Sequence, residues 1–254
     1  MKIVRFRHEG RDHYGAYEND RVTMLDGTIE ALTPAKSTAP IALKDVRLLA
    51  PATPSKIVAI GLNYADHAAE GNRELPKEPM LFIKPSTAVI GPGDEIIYPP
   101  QTSNLHHEGE LAIVIGQTAC NVPQAEARGY VLGYTCANDV TARDLQRRDV
   151  QFTRGKCFDT FAPLGPWIVT DLDPSNLALE TRVNGEVRQK SRTSQLIFNC
   201  DFLISFISQV MTLLPGDVIS TGTPAGVGPM KVGDVVEVEI ERIGCLKNTI
   251  VAPR

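Results

Sequence analysis

Paired cysteines are missing from this chain. Its five (Cys120, Cys136, Cys157, Cys200 and Cys245) are widely spaced, odd in number and without a C-x-x-C pair. That excludes a disulfide framework and a thiolate zinc site, and points to a reduced compartment. Clustered basic residues are missing too. With a formal net charge of -4, a pI near 5.8 and dispersed Lys and Arg, there is no surface suited to nucleic-acid phosphates. No apolar run is long enough to span a bilayer, and the opening Met1-Lys2-Ile3-Val4-Arg5 lacks the apolar stretch of a signal peptide. A cytoplasmic protein with neither nucleic-acid nor membrane partners is the expectation. Internal repeats, low-complexity tracts and the regular β-α alternation of a doubly wound sheet are likewise absent.

What is present is enough apolar material for a full core: 254 residues, 43% of them hydrophobic. Residues 1 to about 30 read as short strands joined by polar turns (Glu9-Gly10-Arg11-Asp12, Glu18-Asn19-Asp20, Asp26-Gly27), a small β appendage. A Pro- and Ala-rich stretch follows, from Pro34 through Pro40 to Pro51 and Pro54, with the composition of a linker over a surface. The boundary falls near residue 50, giving an N-terminal β domain with its linker over 1–50 and a main domain over 51–254. In the main domain the patterning predicts strands over 56–61, 111–116, 167–170, 179–184, 217–220 and 234–241. Helices are expected over 64–70, 141–149 and 201–211. Strands outweigh helices, so the expected fold is β-rich α+β, a roll or sandwich with peripheral helices.

Five segments carry chemistry. In His107-Glu108-Gly109-Glu110, before the apolar run 111–115, an extended backbone puts the two glutamates on one face about 7 Å apart. Carboxylates that close call for a divalent cation or a shared proton, although E-x-E also occurs on solvated strands. Asp139 follows in a strand-to-helix turn, where Thr141 with Asp144 three residues on reads as a capping box. Asp139 is either a plain turn carboxylate or the third member of an all-oxygen Mg²⁺ or Mn²⁺ site. The third segment is His67-Ala-Ala-Glu70, whose helical spacing lets Glu70 orient His67 as a general base, the alternative being a surface pair. It runs into the Gly- and Pro-rich residues 71–79, which read as a lid. Lys156 in Arg154-Gly155-Lys156-Cys157 is placed to neutralise negative charge, or is a solvated loop lysine. Thr221-Gly222-Thr223-Pro224-Ala225-Gly226-Val227-Gly228 offers backbone donors for a carboxylate, or is a long turn; it lacks the Lys-Ser/Thr ending of a phosphate loop.

Together with PMLFIKPSTAVIGPG (79–93), GYTCANDVTARDLQ (133–146), GKCFDTFAPLGPW (155–167), VNGEVRQ (183–189) and LLPGDVISTGTPAGVGPMKVGDVVEVEIERIG (213–244), these segments make the chain resemble the fumarylacetoacetate hydrolase superfamily. The pattern is closest to its small acylpyruvase-like and 2-hydroxyhepta-2,4-diene-1,7-dioate isomerase-like members. The resemblance implies a β-rich roll and a homodimer. It implies Mg²⁺ or Mn²⁺ on Glu108, Glu110 and Asp139, with His67, Glu70 and Lys156 as catalytic groups. It places Arg143, Gln146, Thr223 and the Gly222 loop against an anionic 2-oxo acid. Three carboxylates against a 2+ ion leave a local charge near -1, which Lys156 balances. The expected chemistry passes through a metal-stabilised enolate: C–C hydrolysis of an acylpyruvate or fumarylpyruvate first, with hydroxydienoate isomerisation in aromatic catabolism or oxaloacetate tautomerisation or decarboxylation as alternatives. A catalytically silent metal-binding homologue is the non-enzyme alternative.

Overall fold

The computed structural model describes residues 1–35 and 39–253. Strands dominate, as expected, in three sheets among these residues. The largest runs in the order Thr33–Pro34, Arg21–Asp26, Arg11–Glu18, Lys2–His8, Ala162–Val169, Val131–Asn138, Gly109–Ile115, Val218–Ser220, Lys56–Gly61 and Met80–Pro85. A second sheet orders Glu95–Ile97, Gly244–Val251, Val235–Ile240, Ala178–Val183 and Glu186–Arg192. A small third one joins Thr141–Ala142, Leu105–His107 and Gly228–Met230.

The strand Gly109–Ile115 is buried along its whole length, which is why it reads as an unbroken apolar run rather than an alternation. Its odd residues Leu111, Ile113 and Ile115 enter one core cluster. Its even residues Ala112 and Val114 enter another, with Ile3, Ile57 and Ile168, as the two-residue period of a strand requires. The first cluster is closed by a helix.

Four α-helical segments flank the sheets: α1 (Ala65–Glu70), α2 (Arg143–Arg148), α3 (Thr153–Lys156) and α4 (Cys200–Val210). The α4 helix starts at Asn199, whose side chain accepts from the Phe202 N–H at 2.9 Å, and it buries Leu203, Ile204 and Ile207 in the first cluster. Three of these helices fall where the sequence pattern puts them. The capping box does not form: Ala142 precedes α2 without a side-chain cap. Thr141 is instead drawn into a strand against His106, and its hydroxyl donates to Asp139 O at 2.8 Å. Asp144 accepts from the Thr102 hydroxyl and the Ser103 N–H, so it closes a neighbouring loop.

The Pro-rich stretch also differs from a bare surface linker, though residues 36–38 of it lie outside the described residues. Arg47–Leu49 pairs with Lys2–His8, and Ile41–Ala42 pairs with Arg21–Asp26. The cause is its apolar content: Ile41, Leu43, Val46 and Leu48 pack against Phe6 and Val22. The N-terminal strands join the main sheet through Lys2↔Val169 and Ile3↔Ile168.

Candidate metal and substrate site

Glu110 lies at the start of the strand Gly109–Ile115, Glu108 just before it, and Asp139 just after the paired strand Val131–Asn138. The register Gly109↔Asn138 brings the three carboxylates together. Two hydrogen bonds lock the junction: Asp139 N–H to Glu108 O at 2.8 Å and Glu108 N–H to Asn138 Oδ1 at 3.0 Å. One oxygen of each carboxylate lies within 4.8 Å of the others, and all three residues are buried. Only glycine fits between the glutamates, because a Cβ at Gly109 would stand 2.0 Å from Thr181 Oγ1 on the second sheet.

Three cations brace two of the three carboxylates. Lys156 donates to Glu108 Oε2 at 2.7 Å and Asp139 Oδ2 at 2.5 Å. Arg143 donates to Glu108 Oε1 and, at 2.5 Å, to Gln146 Oε1. Lys84, wholly buried, donates to Asp139 Oδ1 at 2.6 Å. Glu110 has no cation in hydrogen-bond contact among the described residues; Ser220 Oγ at 2.5 Å and the Gly222 N–H at 2.9 Å donate to its Oε2. The electrostatics follow. Burial, then the charges of Asp139 and Glu108, push the Glu110 carboxyl up to about 8. Burial acts on Glu108 too, but Lys156 and Arg143 outweigh it and hold that carboxyl well below its ordinary range. Burial lowers Lys84 despite Asp139, whereas for Lys156 the pull of Asp139 and Glu108 overcomes burial and raises it.

This set fits a divalent cation. The donors are all oxygen, and a proton retained on Glu110 near neutral pH marks a repulsion that a cation relieves. The charge balance inferred from three carboxylates alone is, however, reversed. Lys84, Lys156 and Arg143 already pair with Glu108 and Asp139 and equal in number the charges of a fully ionised triad, so a 2+ ion that displaces the Glu110 proton would carry the site to an excess of about two positive charges.

The triad opens on a cavity of about 430 Å³ whose wall includes Glu108, Glu110, Lys156, Arg143, Gln146 and Thr223. Asp139 and Gly222 stand behind that wall. His67 and Glu70 face the same cavity from α1, with His67 Nδ1 3.0 Å from Glu70 Oε2. Since Glu70 accepts there, Nδ1 carries the hydrogen and Nε2 is the basic nitrogen. The α1 helix is docked by Asp66, which accepts from Ser191 Oγ and, at 3.4 Å, from the Ala225 N–H. Glu70 Oε1 accepts from the Gly226 N–H at 3.1 Å. Gly226 has φ +92°, and a Cβ there would lie 2.1 Å from Arg188 O, so this loop too needs glycine.

Several wall residues escaped the sequence reading. Arg73 and Arg147 line the cavity and have no carboxylate partner among the described residues. His106 lines it as a neutral ring, burial and Arg143 pushing it down to about 4. Lys84 was hidden because Met80–Pro85 inverts the usual rule: Met80 and Ile83 are exposed while Lys84 is buried. The signal available was the Lys-Pro step at the end of an apolar strand.

A mostly antiparallel β framework thus holds a buried, cation-braced carboxylate triad whose donor set is compatible with a divalent ion. Residues 56–251 match the fumarylacetoacetate (FAA) hydrolase C-terminal family, and residues 1–51 match the Rv2993c-like N-terminal family. The chain belongs to the fumarylacetoacetate hydrolase family. It is 47% identical over 220 residues to the mitochondrial oxaloacetate tautomerase FAHD2A of Bos taurus, covering 82% of this chain and 70% of that one. The crystal structure of 5-carboxymethyl-2-hydroxymuconate delta-isomerase from Mycobacterium smegmatis superposes with a TM-score of 0.94 at 47% identity, covering both chains fully. Fumarylpyruvate hydrolase from Pseudomonas aeruginosa, solved with Mn²⁺ and pyruvate, gives 0.74 at 36% identity, covering 78% of this chain and 90% of that one. No helix among the described residues is long and apolar enough to cross a membrane.

Proposed function

We propose that this protein is a Mg²⁺- or Mn²⁺-dependent enzyme that moves a proton at the carbon beside the keto group of a 2-oxo dicarboxylic acid, a tautomerase or isomerase. The observation that carries it is the basic pair His67–Glu70 on the wall of the cavity that the carboxylate triad closes. Glu108, Glu110 and Asp139 would hold the ion, which when bound supplies Lewis acidity at the substrate's keto and carboxylate oxygens. His67 Nε2 takes the proton, and the C–H electron pair forms the C=C of an enolate. Glu70 stabilises the imidazolium that results. Return of the proton to oxygen gives the enol; its delivery to a more distant carbon gives a double-bond isomer. Lys156 and Arg143 keep the oxygen end of the site positive as charge develops there.

Two features favour a dicarboxylic substrate. The cation excess of the loaded site matches a dianion, and Arg73 and Arg147, without a carboxylate partner among the described residues, add positive charge to the wall. The relatives named for a tautomerase and an isomerase are both 47% identical. C–C hydrolysis is the second reading, favoured by the fumarylpyruvate hydrolase likeness, and it would use His67 to deprotonate water. A homodimer belongs to the proposal: the sheet-edge strand Met80–Pro85 leaves Ile83 exposed on the face opposite Met80 and Phe82, an apolar side chain that association would cover.

The test is loss of enol absorbance from the enol of oxaloacetate and from acetylpyruvate, each with Mg²⁺ and then with excess EDTA. Metal-dependent ketonisation is expected for the freshly dissolved oxaloacetate enol, with kcat/KM exceeding that for any loss of acetylpyruvate by on the order of tenfold or more, one lost ion pair's worth. The preference should shrink in Arg73→Ala and Arg147→Ala. Cleavage of acetylpyruvate at equal or greater efficiency would favour hydrolysis. No turnover of either would favour a silent homologue.

A further inference from the structure

Gln189, in the strand Glu186–Arg192, is buried with its amide saturated. Its Oε1 accepts from the Gly109 N–H at 2.9 Å and from His107 Nδ1 at 3.2 Å. Its Nε2 donates to Thr223 Oγ1 at 2.7 Å and to Pro224 O at 2.9 Å. An amide offers two donor hydrogens and one twice-accepting oxygen, so no other common side chain of this size can make all four bonds. Two of the bonds end on the segment that carries Glu108 and Glu110, and two on the glycine loop.

The same strand and the same loop also hold α1. Two residues beyond Gln189, on the same strand face, Ser191 donates to Asp66. The loop gives its Ala225 N–H to Asp66 and its Gly226 N–H to Glu70, while its Gly222 N–H donates to Glu110. The carboxylates and the helix bearing His67 thus rest on shared supports, and Gln189 spans them together with Thr223, whose hydroxyl donates to Gly109 O at 2.9 Å.

We propose that Gln189 is a positioning residue that fixes the Glu108–Glu110 segment against the glycine loop, and that divalent-ion affinity and the docking of α1 are coupled through it. This rests on the reading of Glu108, Glu110 and Asp139 as the ion site. The oxygen end of the amide sets the carboxylates. The nitrogen end passes their order to the loop and so to α1.

Mn²⁺ binding followed by calorimetry, and amide hydrogen exchange of residues 65–70 with and without Mn²⁺, test it in the full chain. In the wild type, Mn²⁺ should bind and slow exchange in α1. Gln189→Leu should weaken Mn²⁺ binding on the order of ten- to hundredfold, the usual effect of removing a partner that orients metal ligands. Gln189→Glu keeps the accepting end and loses the donating end. It should retain Mn²⁺ affinity to within a few-fold while markedly weakening the Mn²⁺-linked slowing in α1, the residual coming from the Gly222 and Thr223 bonds. Melting in EDTA reports whether each variant folds; if Gln189→Leu does not, the exchange result for Gln189→Glu decides. Undiminished Mn²⁺ affinity in a folded Gln189→Leu, or wild-type slowing of α1 in Gln189→Glu, overturns the inference alone. A wild type that does not bind Mn²⁺ overturns the ion site as well.

Discussion

At the scale of single residues, the site is a balance of buried charges, and Glu110 is its unbalanced member. Its carboxyl is raised from 4.5 to about 8 in the folded chain, so between those values the folded state binds more protons than the unfolded one. Stability without metal should therefore fall as pH rises from about 4.5 to about 8. A divalent ion displaces that proton, so its affinity should rise over the same range, and saturating Mg²⁺ should offset the loss of stability. Melting temperatures across this range in EDTA and in Mg²⁺ check it; a flat EDTA profile would contradict it. Lys84 is the second test. Lys84→Met leaves Asp139 without one of its two buried cations and should cost about 3–5 kcal/mol, the usual effect of breaking a buried pair, read by urea unfolding. Glu108, Glu110 and His67 were legible because their spacing is local: i, i+2 on an extended segment and i, i+3 on a helix; Asp139 joins them only through the register Gly109↔Asn138. Lys84, Arg73 and Arg147 were not, since burial or wall position depends on pairings remote in sequence.

At the scale of elements, two glycines let backbone approach where chemistry needs it. Gly109→Ala would drive a methyl group onto Thr181 Oγ1 and should cost about 1–3 kcal/mol, typical of overpacking. Thr181→Ala removes the opposing hydroxyl, so the double variant should regain most of that stability; a strictly additive cycle would show that the contact is not the cause. The strand Gly109–Ile115 and the helix α4 were readable from their apolar runs. Strands such as Met80–Pro85 and Glu186–Arg192 were not, because the first buries its lysine and the second is polar and exposed at most positions. Their strand character comes from the neighbours they pair with. The capping-box pattern failed for the same reason: sheet pairing at His106 outweighed a local cap worth about 1 kcal/mol.

At the scale of the whole molecule, composition and strand count identified a β-rich architecture, but not the way its ends join. The N-terminal strands extend the main sheet at Ala162–Val169, and Ile3, Ala50 and Ala52 complete the core cluster around Leu164 and Ile168. A chain beginning at residue 51 would bare that edge and cluster. It should therefore be insoluble or aggregate on expression, as gel filtration would show; a monodisperse, active truncation would contradict this.

The central claim, metal-dependent proton removal by His67, is tested most directly by proton NMR in D₂O. A 2-oxo dicarboxylic acid whose spontaneous exchange is slow, such as 2-oxoglutarate, is incubated with the protein in Mg²⁺ and then in excess EDTA. The account predicts loss of the proton signal beside the keto group in Mg²⁺, suppression by EDTA, and a His67→Gln rate lower by on the order of a hundredfold or more. Exchange at the same rate in EDTA, or in the His67→Gln variant, would contradict it.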